Sequence, residues 1–317
     1  MNRVEYYTTN SFDVSYGYSW QETREKHHKF DIISINYSNL LRTTNKFDDI
    51  LENNPVLNES FDEKFIFSIN YEYNYNNKLG DEKRFYTQLM LNTDIAGNTA
   101  SLADKLIHGT GSPKNGTLFG IGYSQYAKGT VDLRNAFELS EKVQLASRVI
   151  LGLAYPYGDS ETLPYSRQYF IGGANSLRGF HYRSIGPGSF LPEDESQFIF
   201  SHNGDLKLEG NVELRFPLAG SFKGALFADA GNVWLWSTSG NRPGAKFNLD
   251  TFNTELALNT GLGFRFDLSF FVLRFDIGIP LRTPYQTDGS YWIRPRLFQS
   301  SWWSEYPVFN IAIGYPF

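Results

Sequence analysis

The sequence predicts an all-β chain, folded as an antiparallel transmembrane β-barrel, and three observations carry that prediction. Apolar and polar residues alternate with a period of two along segment after segment. The polar face of those segments carries charges in register. The connections between them alternate strictly between short and long. Helical periodicity is almost absent; its best stretch is Ala100 to Ile107, two turns inside a loop. Mean hydropathy is −0.38 and no apolar run is long enough for a membrane-spanning helix. A barrel is compatible with that value, because its strands alternate lipid-facing and lumen-facing residues.

The strands are read in order at 11–21, 28–37, 62–75, 84–96, 118–140, 142–155, 206–218, 222–234, 255–267, 269–280 and 307–317. In 65–75, Phe65, Phe67, Ile69, Tyr71, Tyr73 and Tyr75 share one face, opposite Ser68, Asn70, Glu72 and Asn74. The same two-residue period places Leu208, Val212, Leu214, Phe216 and Leu218 opposite Lys207, Glu209, Asn211, Glu213 and Arg215. Phe271, Leu273, Phe275, Ile277 and Ile279 likewise oppose Arg274 and Asp276. These are half-buried antiparallel strands. Gly129 is a weak break, so 118–128 and 130–140 are either two strands, which makes twelve, or one, which makes eleven; eleven is preferred because only then do the connections alternate strictly. With eleven, the short connections are 22–27, 76–83, 141, 219–221 and 268. The long ones are 38–61, 97–117, 156–205, 235–254 and 281–306. Short turns at one end and long loops at the other are the build of outer-membrane barrels, with the long loops outside the cell.

Glu72, Arg148, Lys207, Glu209, Glu213, Arg215, Asp229, Arg265, Arg274 and Asp276 all fall on the polar face. A soluble sandwich would turn these charges to water and bury the apolar face; a membrane barrel inverts the arrangement. Two features favour inversion. All six Trp, at 20, 234, 236, 292, 302 and 303, fall at strand ends or in loops, where an interfacial girdle would lie, and the apolar face is rich in Phe and Tyr.

Composition removes several function classes. The 317 residues carry 29 Lys and Arg against 34 Asp and Glu, a net charge of −5, with no Cys. The mild acidity argues against nucleic acid as a partner. Without Cys there are no disulfides, thiolate metal sites or Cys nucleophiles. No Gly-x-Ser-x-Gly elbow, His-Glu-x-x-His or P-loop is present. The five His are scattered over turns and loops, and the Gly109-Thr-Gly-Ser-Pro run reads as turn residues. No pattern points to a metal, a cofactor or catalysis. The first twenty residues lack a basic segment followed by an apolar one, so no signal peptide is visible.

Three stretches are more specific. The long loop 156–205 contains Leu177-Arg178-Gly179-Phe180, the strand 222–234 contains Phe227-Ala-Asp229-Ala-Gly231, and the strand before it contains Gly210-Asn-Val-Glu213-Leu-Arg. A loop Arg and an inward Asp on a nearby strand look like a buried pair, since a guanidinium inside a narrow lumen needs a carboxylate. The last strand reads Phe309-Asn-Ile-Ala-Ile-Gly314-Tyr-Pro316-Phe317. Phe309, Ile311, Ile313, Tyr315 and Phe317 are expected to face lipid. Gly314 is expected to loosen the strand, and Pro316 to remove a ladder hydrogen bond.

The Leu177–Phe180 motif, the Phe227-x-Asp229-x-Gly231 strand, the Arg274-x-Asp276 strand and the terminal Phe317 resemble the BamA/TamA family of outer-membrane insertases. The run GDLKLEGNVELRFPL…GALFADAGNVW looks closest to the family's TamA-like lipoproteins (TamL) of Bacteroidota. The resemblance spans the whole chain and is most specific from about 165 to 317. It implies a 16-stranded barrel preceded by periplasmic POTRA domains, of which these eleven strands would be the C-terminal part. Arg178 would be the Arg of an inward-folded loop and Asp229 its partner, with Phe227 and Glu213 beside them, and the seam at the last strand would be a lateral gate. The implied setting is the bacterial outer membrane. The implied partners are its lipid bilayer, unfolded outer-membrane client proteins, the protein's own POTRA domains and a TamB-like inner-membrane protein. The implied activity is non-enzymatic insertion of client proteins. The alternatives are a passive plugged porin or transporter, and the barrel part of a fused patatin-like hydrolase whose catalytic residues would lie upstream of residue 1.

Overall fold

The computed structural model describes residues 7–52, 55–79, 84–108, 117–118, 120–192, 198–237, 242–268, 270–287, 289–294 and 299–317. Eleven long strands lie side by side in one antiparallel sheet: β1 (Tyr7–Thr23), β2 (Lys26–Thr43), β3 (Lys64–Asn76), β4 (Phe85–Ala96), β7 (Tyr126–Ser140), β8 (Val143–Pro156), β9 (Leu206–Ala219), β10 (Phe222–Trp234), β11 (Ala257–Asp267), β12 (Val272–Thr287) and β14 (Val308–Ile313). Short pieces join its upper rim: β5 (Thr117–Leu118), β6 (Ile121–Tyr123) and β13 (Ser290–Trp292). Helices α1 (Asn45–Glu52), α2 (Pro55–Phe61), α3 (Asn98–His108), α4 (Phe198–Ser201) and α5 (Ser300–Glu305) occupy the long connections. The sheet is not closed: among the described residues β1 pairs only with β2, and β14 only with β12.

The two faces are inverted relative to a soluble sheet. Phe12, Tyr16, Leu151, Leu153, Leu262 and Ile311 are exposed, the last at 72%, whereas Glu213, Arg265 and Arg274 on the opposite face are fully buried. Direct cross-strand partners share a face, and the register carries the apolar set across the sheet, from Val14 to Ile35 to Phe67 and from Leu145 to Leu214 to Leu226 to Leu262 to Ile277. Every long strand except β14 has 11 or more residues, enough to cross a bilayer at a tilt. Hydrogen bonding between neighbours satisfies their backbone, which lipid cannot do.

Three sequence expectations are corrected. The strand read at 118–140 begins only at Tyr126, because Ser124 and Gln125 interrupt it and Thr117–Leu118 pairs with Ile121–Tyr123 as a small β5–β6 hairpin; Gly129 lies mid-strand, paired to Leu153. Two of the six Trp are core residues rather than girdle residues. Trp234 (1% exposed) donates Nε1–H to Glu255 Oε2 at 2.5 Å, and Trp302 is buried on α5. The terminal strand stops at Ile313. Gly314 takes a φ of +87°, a left-handed turn that breaks the two-residue period. Tyr315 and Phe317 therefore fold onto Arg215, whose guanidinium lies 4.4 Å and 5.6 Å from their rings, instead of facing lipid. Pro316 falls beyond the ladder and is buried. The helix read near 100–107 is α3; α1, α2 and α5 were not expected. The Gly109–Pro113 run lies outside the described residues.

Inversion makes a direct prediction. Leu151, outward in the middle of β8, should tolerate Arg in a soluble protein with a change under about 0.5 kcal/mol. In a bilayer Leu151→Arg should cost about 2–4 kcal/mol. Urea titration of folding into liposomes measures it, and a near-zero change would mean that this face does not meet lipid.

Candidate functional site

The described residues of the connection after β8, 157–192 and 198–205, lie across the inner face of β8–β12, and its tip seats Arg178 among the wall charges. Arg178 Nε donates to Asp229 Oδ2 at 3.0 Å and Nη2 to Asp229 Oδ1 at 2.8 Å, a bidentate fork. The Arg178 backbone N–H donates to the same carboxylate at 3.1 Å, and Nη1 bonds Glu213. The guanidinium lies 3.5 Å from the Phe227 ring centre, a cation–π contact in a desolvated place. Asn211 and Asn259, from the strands on either side of β10, each donate Nδ2–H to Asp229, at 3.0 and 2.9 Å. Strand alternation delivers this set: Glu213, Asp229, Asn259 and Asp276 project from adjacent strands to one face, because cross-strand partners point together.

The ion network continues along the wall. Arg215 Nε donates to Glu213 at 2.8 Å and Arg265 Nη2 at 3.1 Å, while Arg265 also bonds Asp276. Arg274 Nε stands 3.5 Å from Asp276 and turns Nη2 to the loop, donating to Ala174 O at 2.9 Å. Ser176 of the loop donates to Glu209 at 2.6 Å. Buried charges are tolerated only when paired and hydrogen-bonded, and each member here has a partner of opposite sign or a carbonyl.

Around this polar centre the loop packs apolar side chains. Leu177 and Phe180 join Ile171, Ile185, Val233 and Ala257 in one buried cluster. Glycines admit the close approach. A Cβ on Gly278 would stand 2.2 Å from the Arg178 carbonyl oxygen, one on Gly179 2.5 Å from Asn259 Cβ, and one on Gly231 2.6 Å from Ile171 Cδ1.

All of the residues singled out from the loop and inner wall meet here: Leu177, Arg178, Gly179, Phe180, Glu213, Phe227, Asp229, Gly231, Arg274 and Asp276. Of the terminal-strand residues, Phe309 is exposed on the outer face, while Gly314, Pro316 and Phe317 lie below the ladder. Sequence reading missed Gly278, Asn211, Asn259 and Asn310. Asn310 matters most, because its Nδ2 donates to the Arg178 carbonyl at 2.9 Å and so ties β14 to the loop tip. Its signal was present as a lone amide on the inner parity of an otherwise apolar strand.

The Omp85 superfamily domain matches residues 3–317. The chain belongs to the Omp85 superfamily. The outer membrane protein assembly factor BamA of Neisseria meningitidis serogroup B is 32% identical over 115 residues, covering 35% of this chain and 14% of that protein. The crystal structure of BamA from Haemophilus ducreyi lacking POTRA domains 1–3 superposes with a TM-score of 0.63 at 16% identity, over 97% of this chain and 55% of that one. CdiB from Escherichia coli gives 0.51 at 12% identity, over 86% and 41%. The match to the Neisseria protein thus covers 14% of that protein's length, and the chain spans about half of the Haemophilus structure. It is a bacterial outer-membrane β-barrel chain of the BamA/TamA kind.

Two predictions follow from the inner centre. Arg178→Ala or Asp229→Asn should cost about 3–5 kcal/mol, because either strands a desolvated charge. A loss below about 1 kcal/mol in bilayer folding titrations would show the pair to be solvated. The second concerns pH in the long loop. Burial lowers the His202 pKa to about 4 and raises that of Asp205 to about 6. His202 is neutral when docked, so its contribution is present above its free value of 6.5 and is lost as pH falls towards 4. Asp205 opposes it: docking favours its protonated form, so its contribution falls as pH rises from 3.8 to 6. Asp205→Asn should therefore leave a loop whose protease resistance increases between pH 4 and 6.5. Resistance that declines over that range would contradict the assignment.

Proposed function

We propose that this chain is the C-terminal part of an outer-membrane barrel that inserts other outer-membrane proteins, working at the free edge of β14. In this reading the remaining strands of the barrel pair with the outer edge of β1, since an open edge in lipid leaves backbone groups unsatisfied. The observation that carries the proposal is the form of β14. It has six residues, is paired only with β12 among the described residues, and exposes Phe309, Ile311 and Ile313 outwards. At about 3.3 Å per residue it spans about 20 Å, less than the roughly 30 Å hydrocarbon core. A short strand thins the adjacent bilayer and forms a weak seam.

A client strand would add to that edge by main-chain hydrogen bonds, with little demand on its sequence. Catalysis has no part in this reading. Its partners are the bilayer, unfolded outer-membrane clients, POTRA domains of the same protein and a TamB-like inner-membrane protein. A passive pore fits less well. The inner face of β8–β12 is filled by the 156–205 loop, and the upper mouth is packed by Phe47, Leu57 and Phe200 with Tyr165. The Neisseria relative is named an outer-membrane protein assembly factor, which supports the same direction.

The test is a disulfide, feasible because these residues contain no Cys of their own. Locking Ile311→Cys to a Cys on the strand across the seam in the complete protein should stop client insertion while folding remains intact, and reduction should restore it. Insertion at the normal rate by the locked protein would make β14 a purely structural strand.

A further inference from the structure

The first part of the connection between β4 and β7, residues 97–108, does not fold inwards but doubles back over the outside of the wall. Gly97, at φ +85°, turns the chain out of β4 while its N–H holds the Phe67 carbonyl at 2.8 Å. Helix α3 then lies against Phe65, Phe67 and Tyr123 through Ala100 and Ala103. The register fixes which side this is. Phe65 pairs with Tyr37 and Phe67 with Ile35, and these in turn pair with Phe12 and Val14 of the exposed apolar face. Tyr123 of β6 pairs in parallel with Phe65 of β3, and Ser101 and Asp104 of α3 reach its hydroxyl. The helix therefore covers the top of the lipid-facing wall.

The side that α3 turns away from the wall is itself apolar. Leu102, Leu106 and Ile107 are 62%, 78% and 65% exposed, with Lys105 beside them. The face is continuous with the lipid-facing band: Ile95, two residues before the Gly97 turn, is an exposed outward residue of β4. We propose that α3 is an interfacial helix seated in the outer leaflet of the protein's own membrane. Leu102, Leu106 and Ile107 enter the acyl boundary, and Lys105 extends its ammonium to lipid phosphates. Short amphipathic helices with a basic residue at the polar margin bind bilayers in this way, and lysine stems snorkel along apolar surface. Such a helix would fix how deep the β3–β4 side of the barrel sits, on the wall remote from the β14 edge.

Leu106→Cys, carrying an environment-sensitive fluorophore, tests it in the complete protein reconstituted in phosphatidylcholine vesicles, with Leu249→Cys as an exposed loop reference. The expected result at 106 is blue-shifted emission, quenching by 5-doxyl phosphatidylcholine and loss of quenching by aqueous iodide, none of which appears at 249. Leu102→Cys should behave as 106 does, which guards against a local artefact of one label. Iodide quenching at 106 equal to that at 249 would place the helix in water and overturn the proposal. Protection from iodide without doxyl quenching would also overturn it, in favour of a second copy or another protein covering the helix.

Discussion

A guanidinium held out of water must be surrounded by acceptors, and the position of Arg178 commits much of this molecule to that requirement. Asp229 supplies the fork, Glu213 the third acceptor and the Phe227 ring a face. Asn211 and Asn259 hold the carboxylate from both sides. The groups arrive from β9, β10 and β11, so one loop residue pins three strands. Asn310 adds β14 through the Arg178 carbonyl. A sheet whose outer face gains nothing from packing in lipid takes its cohesion from its backbone ladder and from this inner polar network.

The price is specificity of shape. The loop tip approaches the wall so closely that Gly278 has no room for a methyl group beneath the Arg178 carbonyl, and Gly261 faces the Phe227 ring with a notional Cβ 2.3 Å away. Each glycine weakens its strand locally, and each permits a contact that the loop requires. The terminal strand illustrates the same exchange. Gly314 ends β14 early and sends Tyr315 and Phe317 onto Arg215, leaving a six-residue strand held by one ladder and one amide contact from within.

Much of this was legible in the sequence because period two is a strong signal wherever one face is uniformly apolar. Residue alternation puts Glu213, Asp229, Arg274 and Asp276 on one polar face, the lengths of the connections give the count of eleven, and the aromatic outer face and the Trp positions turn that polar face inwards. The identity of the Arg178 partner needed the family resemblance, since a loop of about fifty residues can place its tip against any inner carboxylate. What failed did so for local reasons. Tyr315 and Phe317 fit the alternation by residue type, but a single positive φ at Gly314 reverses where they go. Helices α1 and α2 were hidden because they are short and packed by tertiary contacts among Phe47, Leu57 and Phe200. Asn211 and Asn310 sit on the inner parity in the sequence, but parity does not say what they bond, and Gly278 leaves no side chain to read; only the docked loop reveals their use.

The central claim is that the loop tip, through Arg178, controls how firmly the terminal strand is held. Hydrogen exchange of the complete protein in bilayers, comparing the parent with Arg178→Ala, measures this strand by strand. The expected result is faster exchange in 308–313 and in its partner stretch 272–278, with β2 and β3 unchanged. Exchange in 308–313 that is indifferent to the substitution, in a variant whose loop has demonstrably undocked, would contradict the claim.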